Sequence, residues 1–206
     1  MSININGINV TGRIKAPNPI PNYATWDPEN KYSAVVLSNS NLTATTAISN
    51  WAPVMSNIGS TIPFYIEYAI SSNIAMIGFV DSTFNTSLLD AYPGAGTHVL
   101  GGSVYTLSGT GYGGIGTVLG GSTLGGFGTY MFAIDPVAKK AWFGKNGTWA
   151  LGNPAAGTSP SGTWTVNVST IYPCVSVYLG GIATANFGAS AFTYSVPSGF
   201  NPGISG

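Results

Sequence analysis

The run Lys140-Ala141-Trp142-Phe143-Gly144-Lys145-Asn146-Gly147-Thr148-Trp149 leaves this chain little choice of local structure. Asn-Gly is the pair best able to take positive φ at both centres of a two-residue hairpin loop. Lys145 is then set opposite Thr148, Gly144 opposite Trp149, Phe143 opposite Ala150 and Trp142 opposite Leu151. Period-two sidedness places Trp142, Trp149 and Leu151 on one face, with Gly144 leaving room between the indoles, and Lys145, Thr148 and Ala150 on the other. The first face is expected in the core and the second in water. Upstream, Asp135-Pro136 opens another turn, because proline presets φ for the second turn position and an Asp side chain can bond the backbone two residues on. With Tyr130 to Ile134 before that turn, the stretch predicts three consecutive antiparallel strands.

Further strand signals fall at Ala34 to Ser38, Leu42 to Thr45, Phe64 to Ile70, Ala75 to Val80, Val104 to Leu107, Thr163 to Val168, Cys174 to Leu179, Ala183 to Phe187 and Phe192 to Tyr194. No segment sustains a helical period, and Asp81 to Leu89 has room for one turn. Short strands at regular spacing with turn residues between them predict an all-β fold, a two-sheet antiparallel β-sandwich. The organisation expected is an N-terminal hairpin or arm over residues 1–15, a Pro-rich linker over 16–25, and the sandwich over 26–206. Ile3 to Val10 alternates apolar and polar residues around Asn6-Gly7; an arm docking on a neighbouring subunit and an edge ribbon of the sandwich both remain open. Ala91 to Ile134 carries no Asp, Glu, Lys or Arg, yet its glycines leave no window of about 20 predominantly apolar residues, so no membrane insertion is expected.

At 206 residues the chain is long enough to bury roughly 70% of its unfolded surface, so it needs no disulfide or metal staple. Cys174, the single cysteine, lies in an apolar run and reads as a small core hydrophobe. Met1-Ser2-Ile3-Asn4-Ile5-Asn6 lacks the basic start and apolar core of a signal peptide. Only 6% of residues are charged, six basic and six acidic, against a usual share of roughly 25%. A surface built from Ser, Thr, Asn and Gly has no field to steer nucleic acid or anionic lipid, and near-zero net charge favours association. The expectation is therefore a homo-oligomeric subunit of an assembly. An uncharged skin with exposed aromatics suits a sugar binder equally well.

The search for chemistry is mostly negative. A Ser-His-Asp arrangement would have to use His98, the only histidine, and no Gly-x-Ser-x-Gly elbow supplies the nucleophile. The six carboxylates, Asp27, Glu29, Glu67, Asp81, Asp90 and Asp135, are scattered, and Asp27 before Pro28 reads as a turn former. One Cys and one His cannot make a tetrahedral zinc site; the spaced-acid run of a calcium loop is missing, and calcium stays open only through a lone Asp, Asn side chains and loop carbonyls as oxygen donors. Gly109-Thr110-Gly111-Tyr112-Gly113-Gly114 fits a dinucleotide fingerprint formally, but Ile115 to Gly121 cannot supply the helix a phosphate needs. No catalytic residue, metal or cofactor is expected. For ligand binding the candidates are Tyr105 and Tyr112, which border the long Gly-rich loop, because rigid aromatics carry much contact area at small entropic cost.

Several pieces taken in order carry a resemblance: Trp26-Asp27-Pro28, Leu37 to Thr45, Phe64-Tyr65-Ile66-Glu67-Tyr68, Ile77-Gly78-Phe79, Lys140 to Phe143 with Lys145-Asn146-Gly147 and Trp149, the Gly152 to Thr158 loop, Tyr172 to Ser176, Asn186-Phe187-Gly188, and Pro197 to Phe200. Together they resemble the SPRY (B30.2-like) domain, in the form common in bacteriophage structural proteins, from about Trp26 to Phe200. The resemblance implies a concanavalin-like sandwich and a role in binding or assembly. The expected function is that of a non-enzymatic virion protein of a tail fibre, baseplate or capsid surface, located in the virion. Its expected partners are other virion proteins, further copies of itself, or a host-surface glycan. The alternative is a carbohydrate-binding, lectin-like module.

Overall fold

The computed structural model describes residues 3–5, 8–10, 21–95, 100–113, 117–119 and 124–206, and among these it contains strands and no helix. In chain order they are β1 (Ile3–Ile5), β2 (Ile8–Val10), β3 (Trp26–Lys31), β4 (Val36–Ser38), β5 (Thr43–Thr45), β6 (Ala52–Ser56), β7 (Phe64–Val80), β8 (Gly101–Tyr105), β9 (Gly111–Gly113), β10 (Thr117–Leu119), β11 (Gly128–Asp135), β12 (Lys140–Lys145), β13 (Thr148–Trp149), β14 (Gly162–Trp164), β15 (Tyr172–Asn186) and β16 (Asn201–Pro202). The expected turns organise the centre. Asn146 and Gly147 take φ of 49° and 84°, and Lys145 pairs with Thr148 and Gly144 with Trp149. The Asp135 carboxylate accepts the N–H groups of Val137 at 2.9 Å and Ala138 at 2.8 Å, so β11 and β12 close from Tyr130↔Lys145 to Asp135↔Lys140.

The two layers of the sandwich share their longest strands. One layer runs β10-β14-β12-β11-β7-β15-β5-β4, and the other runs β3-β6-β15-β7-β8-β9. β7 and β15 pass from one to the other, so the hydrogen bonding is continuous and the sheet curls over itself. In β7 the inward set is Phe64, Ile66, Tyr68 and Ile70 before the crossing and Ala75, Ile77 and Phe79 after it, a switch from even to odd numbers. β15 makes its crossing with Leu179 and Gly180 at φ of 39° and 77°, and its register to β7 shifts between Tyr178 and Ile182 and again before Ala183. The strands expected as separate pairs, 64–70 with 75–80 and 174–179 with 183–187, are thus two single strands. Ser71 to Asn73 and Gly180-Gly181 have turn-like composition, but each strand continues past them, and the ladder resumes after two register shifts.

Three expectations are corrected. The face of β12 expected to be wet carries Ala141 and Phe143 into the main core, where the Phe143 ring packs tilted against Phe132 at 4.6 Å. The indole face is a second core: Trp142, Tyr65, Met131 and Ala133 are buried there, with Trp149, Phe192, Tyr194, Val196 and Phe200 packed over them. Both faces are covered because the C-terminal segment folds back as a lid, and Leu151 lies beyond it, exposed. Gly144 makes room for the Met131 methyl and the Trp149 ring. Second, residues 192–194 form no strand; they are held by the Glu67 side chain. Third, the expected linker over 16–25 is part of the body by its end: Tyr23 bridges Ser205, and buried Ala24 donates its N–H to the Ile204 carbonyl at 2.9 Å. Residues 11–20 lie outside the described part, and β1 and β2 pair in a sheet of their own, Ile3↔Val10 to Ile5↔Ile8.

β3 and β6 are strands that the sequence pattern does not announce. Asp27-Pro28 reads as a turn, and Pro53 argues against an interior strand. The Pro53 carbonyl accepts the Tyr32 N–H at 2.8 Å, so its missing N–H also lies on the β3 side. There the ladder is already interrupted between Trp26 and Lys31, and the missing donor costs little.

Candidate functional site

The second layer has an outer face, and most of it is roofed by the segment from Asp81 to Ala95. Phe84 and Ala91 pack on Met55, Val80 and Cys174, which project outward from β6, β7 and β15. Two buried serines pin the roof to the sheet: Ser176 donates to the Ala91 carbonyl at 2.8 Å and Ser103 to the Pro93 carbonyl at 2.5 Å. At its start the Asp81 carboxylate accepts the Thr83 N–H at 2.7 Å. Near its end Asp90, at φ 60°, accepts the Trp51 N–H at 3.0 Å and the Asn50 amide at 2.9 Å, and returns its own N–H to the Trp51 carbonyl. Asp90 thereby positions Trp51 at the entrance to β6. Gly94, at φ 84°, lets the roof approach β9: a Cβ there would stand 2.5 Å from the Tyr112 carbonyl oxygen.

Beyond the roof the same face is open, and five aromatic rings converge on it. Met76 faces outward from β7 and pairs across the ladder with Tyr105 on one side and Ser176 on the other, so it forms the floor and is 2% exposed. Tyr105 ends β8, Tyr112 stands on β9 opposite Ser103, and Tyr178 stands on β15. Trp51 and Tyr92 come from the segments that Asp90 and the two serines fix. The rings close a circuit: Trp51 to Tyr92 at 5.9 Å, Tyr92 to Tyr112 at 6.0 Å, Tyr112 to Tyr105 at 6.5 Å and Tyr105 back to Trp51 at 5.8 Å. Successive planes meet at 60°, 79°, 74° and 79°. Tyr178 backs Trp51 at 5.2 Å. The recess they leave, lined by Trp51, Met76, Tyr92, Tyr105 and Tyr112, holds about 230 Å³. Among the described residues no charged side chain lines it, and none hydrogen-bonds these phenols or the Trp51 indole N–H.

Tyr105 and Tyr112, the residues singled out in the sequence, therefore lie together. Trp51, Tyr92, Tyr178, Met76 and the positioning residue Asp90 escaped that reading, because they approach from four separate parts of the chain. His98 lies outside the described residues. Five of the six carboxylates are tied to backbone: Asp27 accepts the Glu29 N–H at 2.9 Å, Asp81, Asp90 and Asp135 hold the turns described above, and Glu67 lies under the lid on the other layer, while the second oxygen of buried Asp81 has no partner among the described residues. Among the described residues no group of three His, Cys, Asp or Glu side chains could hold a metal. Burial pushes the Cys174 thiol well above its usual range.

Among the described residues, roomier recesses lie beside Tyr23 and Asn201 (about 390 Å³) and beside Lys145 and Trp149 (about 420 Å³), each with a single aromatic ring, and one of about 240 Å³ beside Glu67 and Asn186 has none. None of these brings several ring faces to one point.

No family model matches the chain, and no curated protein is similar to it in sequence. Solved structures are similar to it. The SPRY domain of human HERC1 matches with a TM-score of 0.55 at 16% identity, over 78% of this chain and 96% of that domain. The PSpry domain of TRIM65 matches with a TM-score of 0.60 at 14% identity, over 80% of this chain and 89% of its own. The fold is SPRY-like. Stonustoxin matches with a TM-score of 0.59 at 16% identity, over 90% of this chain and 32% of the toxin chain. The aromatic recess is set where the outer face of one layer of this fold loses its roof.

Proposed function

We propose that the chain is a non-catalytic recognition module of a bacteriophage particle, a SPRY-like subunit that associates with itself and with other virion proteins and holds a partner group in the aromatic recess. The observation that carries this reading is the closed circuit of Trp51, Tyr92, Tyr112 and Tyr105 above Met76. Partly open aromatic rings are costly to leave in water and are the residue types that dominate binding energy at interfaces. The scarcity of charge and the ties that hold five of the six carboxylates speak for docking over turnover.

Labelled full-length chain should bind the surface of host bacteria or of tail-stripped particles, and Trp51→Ala should weaken that binding by about thirtyfold, the effect of truncating an aromatic worth ~2 kcal/mol. Tyr112→Ala, which removes the most exposed ring, is the control for folding and should lower affinity without moving the melting temperature. Equal binding by wild type and both variants, or no binding by the wild type to either surface, would overturn the reading. Light scattering on the same samples should show an oligomer; a monomer at all concentrations would remove the self-association part.

A further inference from the structure

Within that reading, and resting on it, we propose that the group the recess accepts is a methylated quaternary ammonium. The four walls have centroid separations of 5.9, 6.0, 6.5 and 5.8 Å. A group at the middle of a square with sides of that size stands roughly 4 Å from every centroid, inside the ~6 Å over which a ring face attracts a cation. Successive planes are inclined by 60° to 79°, so the rings enclose a point from several directions instead of offering one flat platform.

The lining also discriminates between ligand classes. A saccharide needs partners for its hydroxyls, and among the described residues no Asn, Gln, Asp, Glu or Arg side chain lines the recess. A trimethylammonium group donates no hydrogen bond through its methyls and asks for none, so phenols facing water at the rim cost it nothing. A primary ammonium would lose its strong hydration without a carbonyl or carboxylate inside to replace it. The electrostatics favour a cation as well. Among the described residues no Lys or Arg lines the recess, and the Asp90 carboxylate is held against the Trp51 backbone N–H at 3.0 Å. The floor is the Met76 side chain, whose soft thioether packs well against methyl groups.

The test is calorimetric titration of the full chain with choline and, in parallel, with 3,3-dimethylbutan-1-ol, which has the same shape without the charge, and with methyl glucopyranoside. Choline should bind at least tenfold more tightly than the neutral isostere, Trp51→Ala should abolish the signal, and Trp51→Phe, which keeps a ring face, should retain part of it. Phosphocholine and trimethyllysine then distinguish the two sources of this chemistry, a choline-decorated polymer or lipid headgroup and a methylated protein; the tighter of the two names the source, and equal affinity supports recognition of the ammonium alone. Equal binding of choline and its isostere, silence of choline, or a signal with the glucoside alone would overturn the proposal. If any of these occurs while Trp51→Ala still weakens surface binding, the ligand class fails and the recognition module stands. If surface binding is also insensitive to Trp51, both fail.

Discussion

Glu67→Ala should cost about 3–5 kcal/mol of stability, a large share of the ~5–15 kcal/mol that a domain has. The side chain is 3% exposed. Its Oε1 accepts the Tyr65 hydroxyl at 2.8 Å and the Tyr194 N–H at 2.8 Å, and its Oε2 accepts the Thr193 N–H at 2.9 Å. Alanine leaves all three donors without a partner, and a buried donor left unmade costs ~1–3 kcal/mol. Thr193 is exposed and can turn to water, so the sum falls below the upper limit. What is lost is more than three bonds, because these are the ties that seat Phe192, Tyr194, Val196 and Phe200 over Tyr65, Met131 and Trp142. Glu67→Gln keeps the volume and one acceptor oxygen but turns an amide N–H₂ toward a donor, so it should fall between wild type and alanine. Urea midpoints followed by tryptophan fluorescence provide the measurement, with a red shift in the native baseline of the alanine variant as water reaches Trp142 and Trp149. A loss below ~1 kcal/mol would mean that the lid is held by its aromatic contacts alone.

The strands and turns of the centre were legible from residue types, because Asn146-Gly147 and Asp135-Pro136 act locally and dictate register over the next few residues. Sidedness was legible only where one face meets solvent. At Trp142 and Phe143 both faces are apolar and both are buried, so alternation could not say which was the principal core; that depended on a lid fifty residues further on, held by Glu67. The long strands were read as broken for a related reason. Ser71-Ser72-Asn73 and Gly180-Gly181 do make the chain bend, but the bend is a crossing between layers at which the ladder shifts register and then resumes. The aromatic recess was half legible. Tyr105 and Tyr112 stood out by their place beside a Gly-rich loop, whereas Trp51, Tyr92 and Tyr178 reach it through Asp90, two buried serines and the crossing strand β15. None of those ties has a local signature, since each joins residues far apart in the chain.

Alkaline conditions should unfold this protein cooperatively, because its interior holds protons that the unfolded chain gives up. Burial raises the Cys174 thiol well above its usual range, and burial likewise raises the phenol of Tyr68, which donates to the Gly78 carbonyl at 3.0 Å. Burial lifts Tyr130 to about 12, and burial together with the hydrogen bond to Glu67 lifts Tyr65 further. The sign follows from which state binds more protons. Each folded pKa lies above its unfolded value, so the stabilisation is complete below the unfolded pKa and is lost as pH climbs toward the folded one. Loss begins near pH 8.5 with the thiol and steepens above about pH 10, where unfolded tyrosines ionise. In that window the unfolded chain sheds the Cys174 and Tyr68 protons that the folded chain keeps, and the other two phenols add to the slope. Urea midpoints taken at successive pH values should therefore fall ever more steeply, and the buried phenols should ionise in a sharp tyrosinate step coincident with unfolding. Cys174→Ala with Tyr68→Phe should flatten the decline. A flat profile through pH 11, or buried tyrosinate forming ahead of the loss of tryptophan signal, would show that these groups exchange protons without opening the core.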